Sequence, residues 1–249
     1  MTVPERAPLG AALALLLTVV SLTGALSPVL MAASLALLAL LIGIAWPGLL
    51  ELPSPGGTRV VVAGTGIVGT LVTVLSPERI SPLTGVVMVC ATGVFAAFVH
   101  QMVRAERRDL TASLTGTVAG VFVAGISASW IIAQSAAVEA GTTGMITAIA
   151  AGLAATLLVN STPLPPVPRF LLSALSGVGV TMVLAVSLAG LGPALAAAIG
   201  LVTAIGASCA HLLTGSSLVA KEPLPSLAVA AVPVATVGVV AHLVVLLLP

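Results

Sequence analysis

His100-Gln101-Met102-Val103-Arg104-Ala105-Glu106-Arg107-Arg108-Asp109-Leu110 separates two long apolar runs and carries five charged side chains in a protein whose residues are only 6% charged. If the runs on either side cross a bilayer, this cluster marks a cytoplasmic loop, because Lys and Arg are enriched on that side. The composition makes the condition hold. Hydrophobic residues form 59% of the 249, and the mean hydropathy is +1.28, well outside the range of a soluble domain. Most of the apolar runs approach the roughly 20 residues that an α-helix needs to cross the hydrocarbon core. They are apolar all round and lack strand alternation, which selects helices over a barrel. The expected fold is therefore all-α: a polytopic helical integral membrane protein in one membrane domain, residues 1–249.

Nine spans are expected, at about Leu9–Leu26, Val29–Trp46, Val60–Leu75, Pro82–Met102, Thr111–Ile132, Gly141–Asn160, Phe170–Ala189, Pro193–Leu213 and Ser226–Leu248. Short Pro- or Gly-bearing turns such as Ser27-Pro28, Ser81-Pro82 and Gly190-Leu191-Gly192-Pro193 make consecutive helices antiparallel neighbours. With the Arg104/Arg107/Arg108 loop inside, alternation puts Arg6, Arg59, Arg169 and Lys221 inside too and leaves only Arg79 outside. The N-terminus is then cytoplasmic and the C-terminus external. Trp46 and Trp130 fall at the expected membrane edges, as interfacial anchors do. Richness in Ala, Val, Leu and Gly, with a single lysine, fits a bacterial cytoplasmic membrane.

A parallel internal repeat is also expected. Arg59-Val60-Val61-Val62-Ala63-Gly64-Thr65-Gly66 opens one hairpin, and Arg169-Phe170-Leu171-Leu172-Ser173-Ala174-Leu175-Ser176-Gly177 opens another; their turns hold Pro82 and Pro193, and both end in histidine, at His100 and His211. The units are residues 59–102 and 169–213, joined through a Pro-rich cytoplasmic linker at 161–169.

Net charge of +1 with basic residues at helix ends provides no groove for a phosphate backbone, so nucleic acid is not an expected partner. The match Gly64-x-Gly66-x-x-Gly69 to a dinucleotide fingerprint lacks the βαβ unit that gives the motif its chemistry; Gly66 and Gly69 are read as small residues for close helix contact. Cys90 and Cys209 lie inside apolar runs and read as packing residues. No carboxylate falls in the middle of a run, which counts against a metal site, and no catalytic residue or cofactor is expected.

The candidate substrate path consists of His100, His211, Ser113, Thr117, Ser127, Gln134 and Pro233. Ser113, Thr117, Gly120, Ala124, Ser127, Ile131 and Gln134 recur at spacings of four and three, so they share one face of the fifth helix. The stripe Gly144, Ala148, Ala151, Gly152 and Ala155 on the sixth makes it the natural partner of that face. His100 and His211 are expected on the same membrane face as a functional pair. Pro233 frees a carbonyl in the ninth helix, with Thr236 placed to compensate. Arg104, Arg107 and Arg108 are candidates for anionic lipid headgroups.

These features favour a permease or flippase-like component handling a weakly polar or lipidic substrate. The alternative is a non-catalytic scaffold or accessory subunit that associates with itself or another membrane protein through small-residue faces. An integral membrane lipid-modifying enzyme ranks third, because such enzymes hold a divalent cation with carboxylates. Membrane lipids are partners on any of these readings. A reporter fused after Pro249 is expected to be active only when external; activity in the cytoplasm would overturn the topology.

Overall fold

The computed structural model describes residues 7–75, 81–105 and 108–247, and its described elements are helical. Ten α-helices run in order: α1 Ala7–Ser21, α2 Ser27–Leu49, α3 Pro55–Leu75, α4 Pro82–Val103, α5 Leu110–Ile126, α6 Ser129–Ala140, α7 Thr143–Asn160, α8 Pro166–Ala189, α9 Pro193–Gly215 and α10 Pro225–Leu247. The protein is a polytopic all-α membrane protein. Its boundaries follow local chemistry. Pro28, Pro82, Pro166 and Pro193 occupy first-turn positions, where a missing N–H costs nothing. The Ser81 hydroxyl caps α4 by accepting from the Thr84 N–H at 3.2 Å. Gly141 and Gly190 end α6 and α8 in left-handed conformations, at φ 69° and 66°.

Four expected boundaries shift. The seventh expected span, α8, starts at Pro166 rather than Phe170, so residues 166–169 are helical and the linker expected at 161–169 is confined to 161–165. The first helix closes at Ser21, and a separate turn at Gly24–Leu26 leads into α2. At 15 residues, α1 is only about 22 Å long, shorter than the hydrocarbon core. The third starts at Pro55 rather than Val60, since Thr58 and Arg59 find partners within the protein. The expected fifth helix is two helices, α5 and α6, with the break at Ser127-Ala128 inside an apolar run from Leu110 to Ala140. Here N–H groups reach back three residues: Ala128 to Gly125 at 3.1 Å and Trp130 to Ser127 at 3.2 Å. This tighter winding continues the run in the same general sense, so α5 and α6 together make one membrane pass.

Each helix packs on its sequence neighbour through α2–α3–α4–α5 and again through α7–α8–α9–α10. Helix α1 lies against α7, α10 and α2, while α10 also packs on α2 and α6 and joins the two sets. The central core contains Met31, Leu35, Ile42, Trp130, Ile146, Ile149 and Leu153. Burial separates centre from rim: 67% of α7 is enclosed but only 22% of the 18-residue apolar stretch of α8, whose Leu171, Leu175 and Val183 face outward. In a bilayer those faces meet lipid tails. Alternation of the passes gathers Arg59, Arg104, Arg108, Arg169 and Lys221 at one end, called the arginine end below. Arg6, Arg79 and Arg107 lie outside the described residues.

The tryptophans correct the sequence expectation. Neither is an interfacial anchor: Trp46 is 6% exposed and Trp130 is fully enclosed. Trp46 Nε1 donates to the Gly116 carbonyl at 2.7 Å, and Trp130 Nε1 donates to the Val234 carbonyl at 2.8 Å. Both bonds need a glycine one turn after the acceptor. A Cβ on Gly120 or on Gly238 would lie 2.7 Å from the indole Cδ1 of Trp46 or Trp130 respectively. The indole therefore reaches a carbonyl already in the helix ladder only because that side chain is missing.

The small-residue stripes also pair differently. The α5 face meets α3 and α4 and receives Trp46, whereas the α7 glycines face α8: Gly144 abuts Leu188, and Gly152 abuts Thr181. Gly66 does make a close contact, with Ala39 and Ala124, while a Cβ on Gly69 would meet only Val89, at 4.0 Å. Replacing Trp46 or Trp130 by Phe should cost roughly 0.5–1.5 kcal/mol. Gly120→Leu or Gly238→Leu should cost more, about 1–3 kcal/mol or above, because the indole must move. Thermal unfolding midpoints in detergent would check the order; equal losses would contradict it.

Candidate functional site

At the arginine end, α3, α4 and α5 converge, and the polar side chains near their termini connect. Thr117 donates to the Ser113 carbonyl at 2.7 Å, which uses its only proton. Thr58, 2.8 Å away, is then the donor to the Thr117 hydroxyl. Gln101 Nε2 donates to Ser113 Oγ at 2.9 Å, and Arg104 Nη1 donates to Gln101 Oε1 at 2.7 Å. Thr58, Ser113 and Thr117 are fully enclosed and Gln101 nearly so. A guanidinium at the surface is thus tied through an amide to a hydroxyl inside. Arg104 also donates to the Arg108 carbonyl at 3.4 Å, which holds Arg108 near the end of α4. Asp109 starts α5 in a left-handed conformation, φ 50°.

His100 stands beside this network. Its Nε2 is 3.2 Å from Ser54 Oγ, and its ring lies over Gly57 in the first turn of α3, where any side chain would collide with it. Sequence spacing identified His100, Arg104, Ser113 and Thr117 but missed Ser54, Thr58 and Gln101. Ser54 and Thr58 belong to a different segment, and Gln101 stood out only as the neighbour of His100.

The other candidates are not gathered here. His211 is half-buried near the end of α9, and α4 and α9 share no extensive interface, so the two histidines belong to different helix sets. Ser127 sits at the α5–α6 break and donates to the Ala124 carbonyl at 2.6 Å. One turn later Trp130 bonds to Val234, next to the enclosed Pro233, so the break and the proline lie against each other. Thr236 does not compensate the carbonyl of Val229 that Pro233 frees; its hydroxyl is 3.0 Å from the Val232 carbonyl and 3.1 Å from that of Pro233. Thr236 is two turns from Val229, beyond the reach of its side chain.

Gln134 belongs to a second cluster at the opposite end. Its Nε2 donates to Ser27 Oγ at 2.7 Å and to the Ser21 carbonyl at 3.3 Å, and Ser21 Oγ is 2.7 Å from Thr147 Oγ1. These side chains from α1, α2, α6 and α7 are buried, and Gln134 Oε1 has no partner among the described residues. The spacing of four and three placed Gln134 on the Ser113 face, but the break at Ser127 divides that face between two clusters at opposite ends.

A double-mutant cycle with Thr58→Val and Thr117→Val should return a coupling of about 0.6–1.7 kcal/mol, as for hydroxyl pairs inside membrane proteins. Additive losses would show that the hydroxyls do not interact. Compared with known proteins, the chain matches no family model, no curated protein and no solved structure.

Proposed function

We propose that this multi-pass membrane protein is a permease or flippase-like component that moves a weakly polar or lipidic substrate. The observation that carries the reading is the break at Ser127-Ala128 seated, through Trp130, against the Pro233 turn of α10. Transporters build midplane sites from interrupted helices, because a pass without continuous ladder bonds can swivel about the interruption. On either side of this point lie two separate polar clusters, around Ser113 and around Gln134, with the apolar core between them. A substrate with few polar groups suits such a route, since the clusters offer hydroxyls and amides rather than paired charges.

The arginine end is the cytoplasmic one on this reading, with Arg104, Arg107 and Arg108 gathering anionic headgroups at the inner leaflet. The helices form two parallel four-pass units, α2 to α6 and α7 to α10. Support comes from boundaries that recur at the sequence offset: α2 and α7 end at Leu49 and Asn160, α3 and α8 start at Pro55 and Pro166, and α4 and α9 start at Pro82 and Pro193. The scaffold reading loses its motivation, because the small-residue faces of α5 and α7 are occupied inside the protein.

Proteoliposomes carrying a fluorescent lipid should show protein-dependent loss of leaflet asymmetry on dithionite quenching. Pro233→Ala, which restores a ladder bond next to the break, should slow that loss by about tenfold, the effect of about 1.4 kcal/mol on a barrier. Absence of both lipid and solute movement above the level of protein-free vesicles would overturn the proposal.

A further inference from the structure

Between α7, α8 and α9 runs a second polar feature, separate from the clusters above. At its arginine end Asn160 Nδ2 donates to Ser208 Oγ at 3.2 Å, and Ser173 Oγ is 3.3 Å from Ser208 Oγ. One turn inward on α7, Thr156 donates to the Gly152 carbonyl at 2.9 Å, and its hydroxyl lies against Gly177 of α8. Deeper still are Thr181 and Thr203, both 0% exposed. Their hydroxyls have no hydrogen-bond partner among the described residues. Helical threonines ordinarily donate to the carbonyl three or four residues back, as Thr117, Thr147 and Thr156 do here. Thr181 instead points its hydroxyl into the seam at Gly152. Beyond these two the seam turns apolar and closes on Ala148, Ala185 and Ala196.

Packing does not require this polarity. The positions 111 residues earlier in α2, α3 and α4 hold Leu49 for Asn160, Ala45 for Thr156, Val62 for Ser173 and Ala97 for Ser208, and all four are buried. Thr70, at the position matching Thr181, is also buried and donates to the Ile67 carbonyl at 2.7 Å, whereas Thr92, matching Thr203, lies on the exposed face of α4 and donates to the Met88 carbonyl at 2.9 Å. The first set of helices thus packs in a similar order with apolar side chains and, at Thr70, a buried hydroxyl that is satisfied. An unpaired hydroxyl in apolar surroundings is unfavourable, so its retention needs a use in another state.

We propose that the α7–α8–α9 seam is a half-path entered from the arginine end that binds an uncharged polyol group, with Thr181 and Thr203 as its innermost contacts. A hydroxyl both donates and accepts, so it pairs with Thr, Ser and Asn alike. Inward of Ser173 and Ser208 the described residues named for the seam carry no charge to pair with an ion; Arg169, one turn before Ser173, and His211, three residues past Ser208, stand toward the mouth. The structure shows the seam closed, with Gly152 against Thr181, and binding requires α7 to separate from α8. The inference names a substrate class for the permease reading and rests on it. The polyol is either a small free solute or the head of a glycolipid.

The test uses the full chain with Cys90→Ser and Cys209→Ser, carrying Thr203→Cys, in sealed membrane vesicles of each orientation. A small water-soluble methanethiosulfonate should label the new thiol from the arginine end only, and Ala148→Cys should remain unlabelled. Glycerol, or a glucosyl-diacylglycerol added to the membrane, should slow labelling about tenfold or more at saturation, which identifies the free or the lipid-borne source. Ser208→Cys, at the mouth, replaces Thr203→Cys should the latter fail to fold. No labelling at either position, or labelling from the other end, overturns the half-path. Labelling that neither polyol slows overturns the ligand class. Protected labelling without any flux in proteoliposomes would sink the permease reading and leave the binding site standing.

Discussion

Inside a bilayer no water is available to satisfy a polar group that the protein leaves unpaired, and the structure depends on that constraint more than on any single contact. Apolar surface provides little drive for association there, because lipid tails are as apolar as leucine. Specific packing falls to the few polar atoms and to the glycines that let helices approach. The two tryptophans show both at once. Each indole crosses to a neighbouring helix, finds a carbonyl uncovered by a glycine and adds a large side chain to the core. Trp46 thereby ties α2 to α5, and Trp130 ties α6 to α10, one of the contacts through which α10 joins the two helix sets.

The same constraint decides which polar residues can sit deep. Asparagine, glutamine, serine and threonine are buried, whereas Arg104 sits where the membrane would end and sends only one bond inward, through Gln101. The charged cluster between α4 and α5 consequently does two jobs. It keeps the Arg104 guanidinium at the end of the helix, and it anchors the Ser113 network that holds the start of α5 to α4. A solvated loop alone would leave Gln101 without a partner in the core, and the structure gives it two.

How much of this was legible in the sequence follows from the range of each interaction. The apolar runs and most helix boundaries depend on local composition and on Pro and Gly, so they could be read directly. The fate of Trp46 and Trp130 depended on glycines 74 and 108 residues away, which no local pattern reveals. The break at Ser127-Ala128 was hidden as well. It contains no proline or glycine, and the periodic face from Ser113 to Gln134 runs straight through it. Ser54, Thr58 and Gln101 joined His100 and Ser113 through contacts between helices, while His100 and His211, matched by position in the chain, ended up in different sets.

The two helix sets use their polar residues unequally, and that difference bears on mechanism. In the first set hydroxyls and amides pair off near the arginine end, and the middle is closed by Val62, Val121 and Ala124. In the second, polarity extends inward along α7, α8 and α9 to hydroxyls with no partner. A fully paired set resists separation, because every broken bond must be remade with something else. An incompletely paired set loses less when its helices part and gains partners when water or a hydroxylated ligand enters. If one part of this bundle moves against a fixed frame, the balance of hydrogen bonds assigns the frame to α2 through α5 and the motion to α7, α8 and α9.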